Sequence, residues 1–319
     1  MLSELLHRVS GEPIRRWVLG AFSRDPDGTL DYDHPRGDPG LFGPDSVTWR
    51  IHADFPGMLA GGLAALMMQT LHPLALAGVW DHSNFRDDLV GRLRRTTTFV
   101  GATTYAPRAA AEALIGHVRR IHGFVHGMTE DGTPYAADDP ALLTWVHVTE
   151  AHSFLAGYRR FAHHAVPRAI ADRYYDEVRR VAEALGARDV PASEGEVDDY
   201  FAAIQPRLAY TGRSREVLRV LAGVRLPVPF AGLSRDVFLH AGMALLPAWA
   251  GDLLRHTPRQ RRQARLAARL LWSMAPAFRA ALKESGVVSR SCRRVGVPPE
   301  AMRDWPAPVD RQEPGAAAH

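Results

Sequence analysis

The stretch from Gly57 to Ala77, GMLAGGLAALMMQTLHPLALA, decides the fold class. Met58, Leu59, Leu63, Leu66, Met67, Thr70 and Leu71 recur at three- and four-residue spacings, the period of an α-helix with one face buried. Pro73 has no amide proton to give a helix interior, so it kinks or ends this segment. The same period continues downstream. A helix is predicted from Pro107, a favoured first position, to Gly127, a candidate left-handed cap. Another starts at Asp139-Pro140 with Asp139 as N-cap and runs past Phe161. Ala169 to Leu185 follows, closed by Gly186. Ser193-Glu194-Gly195-Glu196 has the form of a capping box, and Thr257-Pro258 opens a long arginine-rich helix ending near Gly286. No run of consecutive strands alternates apolar and polar residues, so the expected fold class is all-α.

Upstream, residues 24 to 46 are crowded with Asp, Pro and Gly, as in Arg24-Asp25-Pro26-Asp27-Gly28 and Arg36-Gly37-Asp38-Pro39-Gly40. This is expected to be a loop, one that could cover a pocket. The boundaries that follow are an N-terminal helix and loop over 1–48, one helical domain over 49–304 and a disordered tail over 305–319. With 46% apolar residues in 319, one core suffices.

Composition narrows the function classes. The formal charge is only +4, and the arginine runs at 259–265 and 290–294 are expected to be solvated helix faces, so no nucleic-acid partner is expected. The single cysteine, Cys292, excludes an intrachain disulfide and any cysteine-held metal cluster. Arg15 and Arg16 interrupt what would be a secretory signal, which predicts a cytoplasmic location. The longest apolar stretch, Phe238 to Ala250, falls short of the roughly 20 residues of a membrane span, which leaves peripheral membrane contact open. Phosphate loop, nucleophile elbow and dinucleotide fingerprint are all missing.

Fifteen histidines direct attention to metal chemistry. Taking about 100° per residue, Leu114, Val118, Ile121 and Val125 form one stripe, and His122 lies about 50° from its centre, the histidine of that helix aimed most nearly inward. His147 sits in an apolar helix and is either core or ligand. His122 and His126 are spaced to hold one ion, but zinc would need further ligands that the sequence does not assign, and the carboxylate-histidine set of a di-iron bundle is lacking. Arg92, Arg95 and Thr96 share a helix face, two guanidiniums and a hydroxyl suited to an anion or a polarised oxygen species.

Four segments carry a resemblance. Gln69-Thr70-Leu71-His72-Pro73, Gly91-Arg92-Leu93-Arg94-Arg95-Thr96, Arg119 to Gly127, and Tyr135 to His147 together resemble the latex clearing protein and MpaB oxygenase family, over about Trp49 to Leu208. The resemblance implies a globin-like helical domain around heme b, with iron that activates dioxygen. It implies that His122 is the proximal iron ligand and that Arg92, Arg95 and Thr96 occupy the family's Arg-x-x-Lys-Thr positions. Arg95 in place of the lysine is a poor iron ligand, which points to an open or water-filled sixth site. His72 or Gln69 takes the neighbourhood of the acidic residue proposed as a base in polyisoprene cleavage. The expected function is therefore heme b-dependent oxidation or C=C cleavage of a small hydrophobic metabolite with O2. Its catalytic residues would be Arg92, Arg95, Thr96 and His72, and its cofactor residues His122, Arg92, Arg95 and His147, with His122 on the metal. The alternatives are a heme- or hydrophobe-binding protein without turnover, a non-heme metal protein using His122, His126 and His147, and a helical scaffold.

Overall fold

The computed structural model describes residues 30–224, 231–282 and 286–306. Their helices, in chain order, begin with α1 (Val47–His52), α2 (Phe55–Gln69), α3 (Pro73–His82), α4 (Leu89–Tyr105) and α5 (Arg108–His122). A two-stranded antiparallel hairpin, β1 (His126–Met128) and β2 (Pro134–Ala136), follows. Then come α6 (Pro140–Phe161), α7 (Arg168–Leu185), α8 (Glu194–Ile204) and α9 (Gly212–Ala222). Last are α10 (Ala231–Met243), α11 (Ala248–Leu253), α12 (Pro258–Leu282) and α13 (Val287–Val295). The all-α expectation holds, with the short hairpin as its one addition.

Local chemistry sets the helix starts. Ser46, Asp54, Asp88, Asp139, Ser193 and Thr211 each accept a hydrogen bond from a backbone N–H of the first turn that would otherwise have no partner. Pro73 ends one helix by opening the next, so α2 and α3 meet at a bend of 103°. Gly186 closes α7 at φ 114°, as its position predicts. At Ser193 only half of the expected box forms, because the Glu196 carboxylate accepts from Ala192 N instead. The loop expected over 24–46 is irregular throughout its described part, residues 30–46, while the expected N-terminal helix and most of the tail lie outside the described residues.

One predicted element needs correction. The helix from Pro107 ends at His122, and Gly123 stays right-handed, so Gly127 is no cap. Gly127 instead lies in β1 opposite Tyr135, whose hydroxyl would stand 2.5 Å from any added Cβ. The buried stripe of α5 is also rotated from the expected one, running through Ala111 and Ile115, while Ile121 is exposed.

Two helices organise the core. On α2 the residues facing α6 are so small that the backbones touch: a Cβ on Gly157 would overlap the Gly57 carbonyl, and one on Gly61 would fall 2.6 Å from Ser153 O. Behind α2, Gly242 of α10 lies against Ala60 O, where a Cβ would come within 2.8 Å. Around this centre Trp145, Tyr174, Met68, Leu71 and Leu155 form the largest buried cluster, and Phe161, Phe238 and Leu271 a second. The short α1 is pinned by Glu177 of α7, whose carboxylate accepts from Val47 N, Thr48 N and Thr48 Oγ1 and pairs with Arg173.

Gly157→Ala is expected to destabilise the fold by about 1–3 kcal/mol through overpacking. Gly62→Ala, whose methyl would only touch Phe154 at 3.7 Å, should be near neutral. Denaturant unfolding of both variants checks the pair.

Candidate functional site

Beside the α2–α6 contact the helices separate and enclose a cavity of about 640 Å³. Its apolar wall comes from Met58, Leu59, Leu63 and Leu66 of α2, Val100 of α4, Phe154 of α6 and Phe238 of α10. Tyr32, from the loop before α1, also reaches it, so that loop does cover the pocket. The lining meets the surface at Thr96 and Thr97 and again at His163, His164 and Pro276, all exposed. A volume of this order is that of a small-molecule or cofactor site.

The wall is mainly apolar but also carries polar and charged groups, among them Arg50, Asp54, Gln69 and Arg279. His52, at the end of α1, makes two hydrogen bonds: its Nδ1 lies 2.8 Å from Thr104 Oγ1 and its Nε2 2.9 Å from Tyr174 Oη. Thr104 Oγ1 already gives its proton to Val100 O. His52 Nδ1 must therefore donate to Thr104, and Nε2 must accept from Tyr174, which fixes a neutral tautomer. Burial agrees, pushing the His52 pKa down to about 3. With both nitrogens engaged, His52 joins α1, α4 and α7 and has no lone pair left for a metal.

His147 differs. It lies on α6, seven residues before Phe154 and three before Glu150, on the same side of the helix at about 100° per residue, but of the three only Glu150 and Phe154 line the cavity. Burial lowers its pKa to about 4, so its imidazole is neutral at physiological pH, and it makes no hydrogen bond among the described residues. Glu150 is the one carboxyl of that face. Burial raises its pKa to about 7, and a hydrogen bond from Gln69 restrains the rise. Such a group can hold or release a proton near neutrality.

The structure distributes the sequence-predicted residues widely. Thr96 lines the cavity, its hydroxyl also bonded to Arg92 O at 3.2 Å. Arg92 is half-buried and donates to Ser83 Oγ at 2.8 Å, with no carboxylate partner among the described residues. Arg95 turns outward to Asp88 at 3.6 Å, so the two guanidiniums do not converge on one point. His72 caps α3 by accepting from Ala75 N at 3.5 Å and packs near Trp145; it is not among the cavity's described lining. His122 also lies outside that lining, but it is half-buried and its Nδ1 is shut from solvent with no partner among the described residues. Among the described residues no three or more His, Cys, Asp or Glu side chains lie together as a metal-holding group.

Two residues of this site escape the sequence reading. Glu150 had a signal, a lone carboxylate three positions after His147 within an apolar helix. His52 had none, because its role depends on contacts from residues 104 and 174.

The sequence profile described as ER-bound oxygenase mpaB/B'/Rubber oxygenase, catalytic domain, matches residues 49–280. The chain belongs to this oxygenase family. The match extends the resemblance seen up to Leu208 across α10 and most of α12, so the helices that close the cavity are part of the oxygenase domain. No curated protein and no solved structure matches the chain.

The buried titrating groups of the oxygenase domain fix its pH response. His52 (about 3), His72, His147 and His152 (each about 4) take up protons more readily once unfolded, so the stability they provide is lost as pH falls from about 6.5 towards 4. Glu150 acts in the opposite sense: its raised pKa costs stability as pH rises from about 4.5 through about 7. Glu150→Gln should therefore stabilise the protein at pH 8 by roughly 1–3 kcal/mol, at about 1.4 kcal/mol per tenfold change in proton affinity, and leave it unchanged at pH 4.5. Thermal melts of the two proteins across this range measure the difference.

Proposed function

We propose that this oxygenase uses heme b to oxidise a small hydrophobic compound with O2. The observations that carry the proposal are a large apolar cavity and, on α5, a buried His122 nitrogen without a partner, with no group of three metal ligands among the described residues. A non-heme iron or zinc centre needs about three protein donors in one place. Heme iron needs only one or two, because the porphyrin supplies the other four. The donor set among the described residues fits the second case.

His122 would hold the iron. Its position on the inward side of α5, its lowered pKa from burial and its buried nitrogen without a partner support that role. Arg92 would pair a propionate, since a half-buried guanidinium with a neighbouring cation, Arg95, and no carboxylate lacks an anion. Thr96 would stand where the lining meets the surface, and His147 behind the wall on α6. When bound, heme b supplies the iron at which dioxygen is activated. The protein contributes the rest: the leucines, methionines and phenylalanines hold an apolar substrate and exclude water, and Glu150 holds a proton at its carboxyl for exchange with the substrate. Arg95, turned outward to Asp88, would leave His122 to hold the iron.

Heme supplied during expression or refolding should give a Soret band at one heme per chain. His122→Ala should abolish it, and Arg92→Ala should weaken heme retention roughly tenfold, the worth of a charge-assisted hydrogen bond. A wild-type protein that takes up no heme, or an unchanged spectrum in His122→Ala, contradicts the proposal. Oxygen uptake with a reductant and an apolar alkene separates turnover from simple binding, since a binder keeps the spectrum and consumes nothing.

A further inference from the structure

The outer face of α12 has a composition that neither the core nor the cavity explains. The helix carries six arginines and no carboxylate. Arg261 pairs with Asp252 and Arg279 with Asp54, whereas Arg259, Arg262, Arg265 and Arg269 are exposed and have no ion pair among the described residues. Between these cations lie Leu266, Leu270, Trp272 and Met274, each at least 40% exposed. Ala264, Ala268, Leu271, Ala275 and Phe278 form the buried stripe, so at about 100° per residue the four arginines, Leu266 and Leu270 share the opposite half, and Trp272 and Met274 flank the stripe on either side. Large exposed apolar side chains among unpaired arginines match a bilayer interface, where the chains enter the acyl boundary and the guanidiniums meet anionic headgroups. A nucleic-acid face would use the cations but leave the leucines and methionine without a partner.

This face adjoins an opening of the cavity. Trp272 stacks on His163 with ring centroids 4.3 Å apart, and His163, His164 and Pro276 are exposed residues of the cavity lining. Arg279 and Leu282 continue the same helix along the cavity wall, and Leu233, 67% exposed, stands beside the lining residues Ser234 and Arg235 on α10. Among the described residues no single helix is long and apolar enough to cross a membrane, so contact through α12 would be from the surface.

We propose that the outer face of α12 docks the protein on anionic lipid bilayers and sets the His163–Pro276 opening against them, so that an apolar substrate enters the cavity from the lipid. Docking itself does not depend on the heme proposal; the bilayer as substrate source rests on it. The full-length protein should co-sediment with phosphatidylcholine vesicles containing phosphatidylglycerol and not with phosphatidylcholine alone, and added salt should weaken binding. Binding should fall at least about tenfold in the triple variant Arg262→Glu, Arg265→Glu, Arg269→Glu. It should fall similarly in Leu266→Asp, Leu270→Asp, which keeps every arginine. Unchanged circular dichroism shows that both variants fold, and unchanged heme uptake keeps failure of docking distinct from failure of the heme site. Absence of sedimentation with anionic vesicles, full binding by the triple variant or by the leucine variant, or binding to a DNA duplex but not to vesicles overturns the inference.

Discussion

The close approach of α2 and α6 is the constraint on which this architecture depends. Two helix backbones touch where Gly57 meets Gly157 and Gly61 meets Ser153, a contact that side chains of any size would prevent. Small residues along one side of α2 bring the helices together there, and larger ones on its neighbouring face, Met58, Leu59, Leu63 and Leu66, are left to line the adjoining space. Close packing on one side of α2 thus coexists with a cavity on the next. Gly242 repeats the arrangement behind, seating α10 on α2 and bringing Phe238 to the cavity wall.

At and behind the cavity wall, burial determines charge. His52, His147 and Glu150 are all held toward their neutral forms at or below neutral pH, each by loss of water. The three nevertheless differ in what they can do. Hydrogen bonds to Thr104 and Tyr174 occupy His52 and make it a joint between helices. His147 keeps its nitrogens unbonded among the described residues, and Glu150 keeps a proton it can lose near pH 7.

Much of the fold is legible in the sequence because its signals are local. Proline at positions 73 and 140, aspartate at 139 and glycine at 186 each act through the backbone of their own turn, and each marks a true boundary. The hairpin after α5 is not legible, since Gly127 reads equally as a helix cap or as a strand residue beneath Tyr135, and only the pairing with residues 134–136 decides. Side-chain direction is harder still. Helical spacing places Arg92 and Arg95 on one face, but Ser83 draws the first and Asp88 the second, leaving Thr96 alone at the cavity. Ile121 lies on the predicted apolar stripe yet is exposed, because α5 packs through Ala111 and Ile115. Glu150 and His52 acquire their character from surrounding helices, information that no single segment holds.

A porphyrin held by His122 is the central requirement of the proposed chemistry. A crystal structure of the protein reconstituted with heme tests this most directly. The expected result is a macrocycle whose iron is bonded to the imidazole of His122, with the apolar cavity bounded by α2, α4 and α6 left for the substrate. A macrocycle bound away from His122, or a His122 ring hydrogen-bonded to protein with no macrocycle beside it, would contradict it.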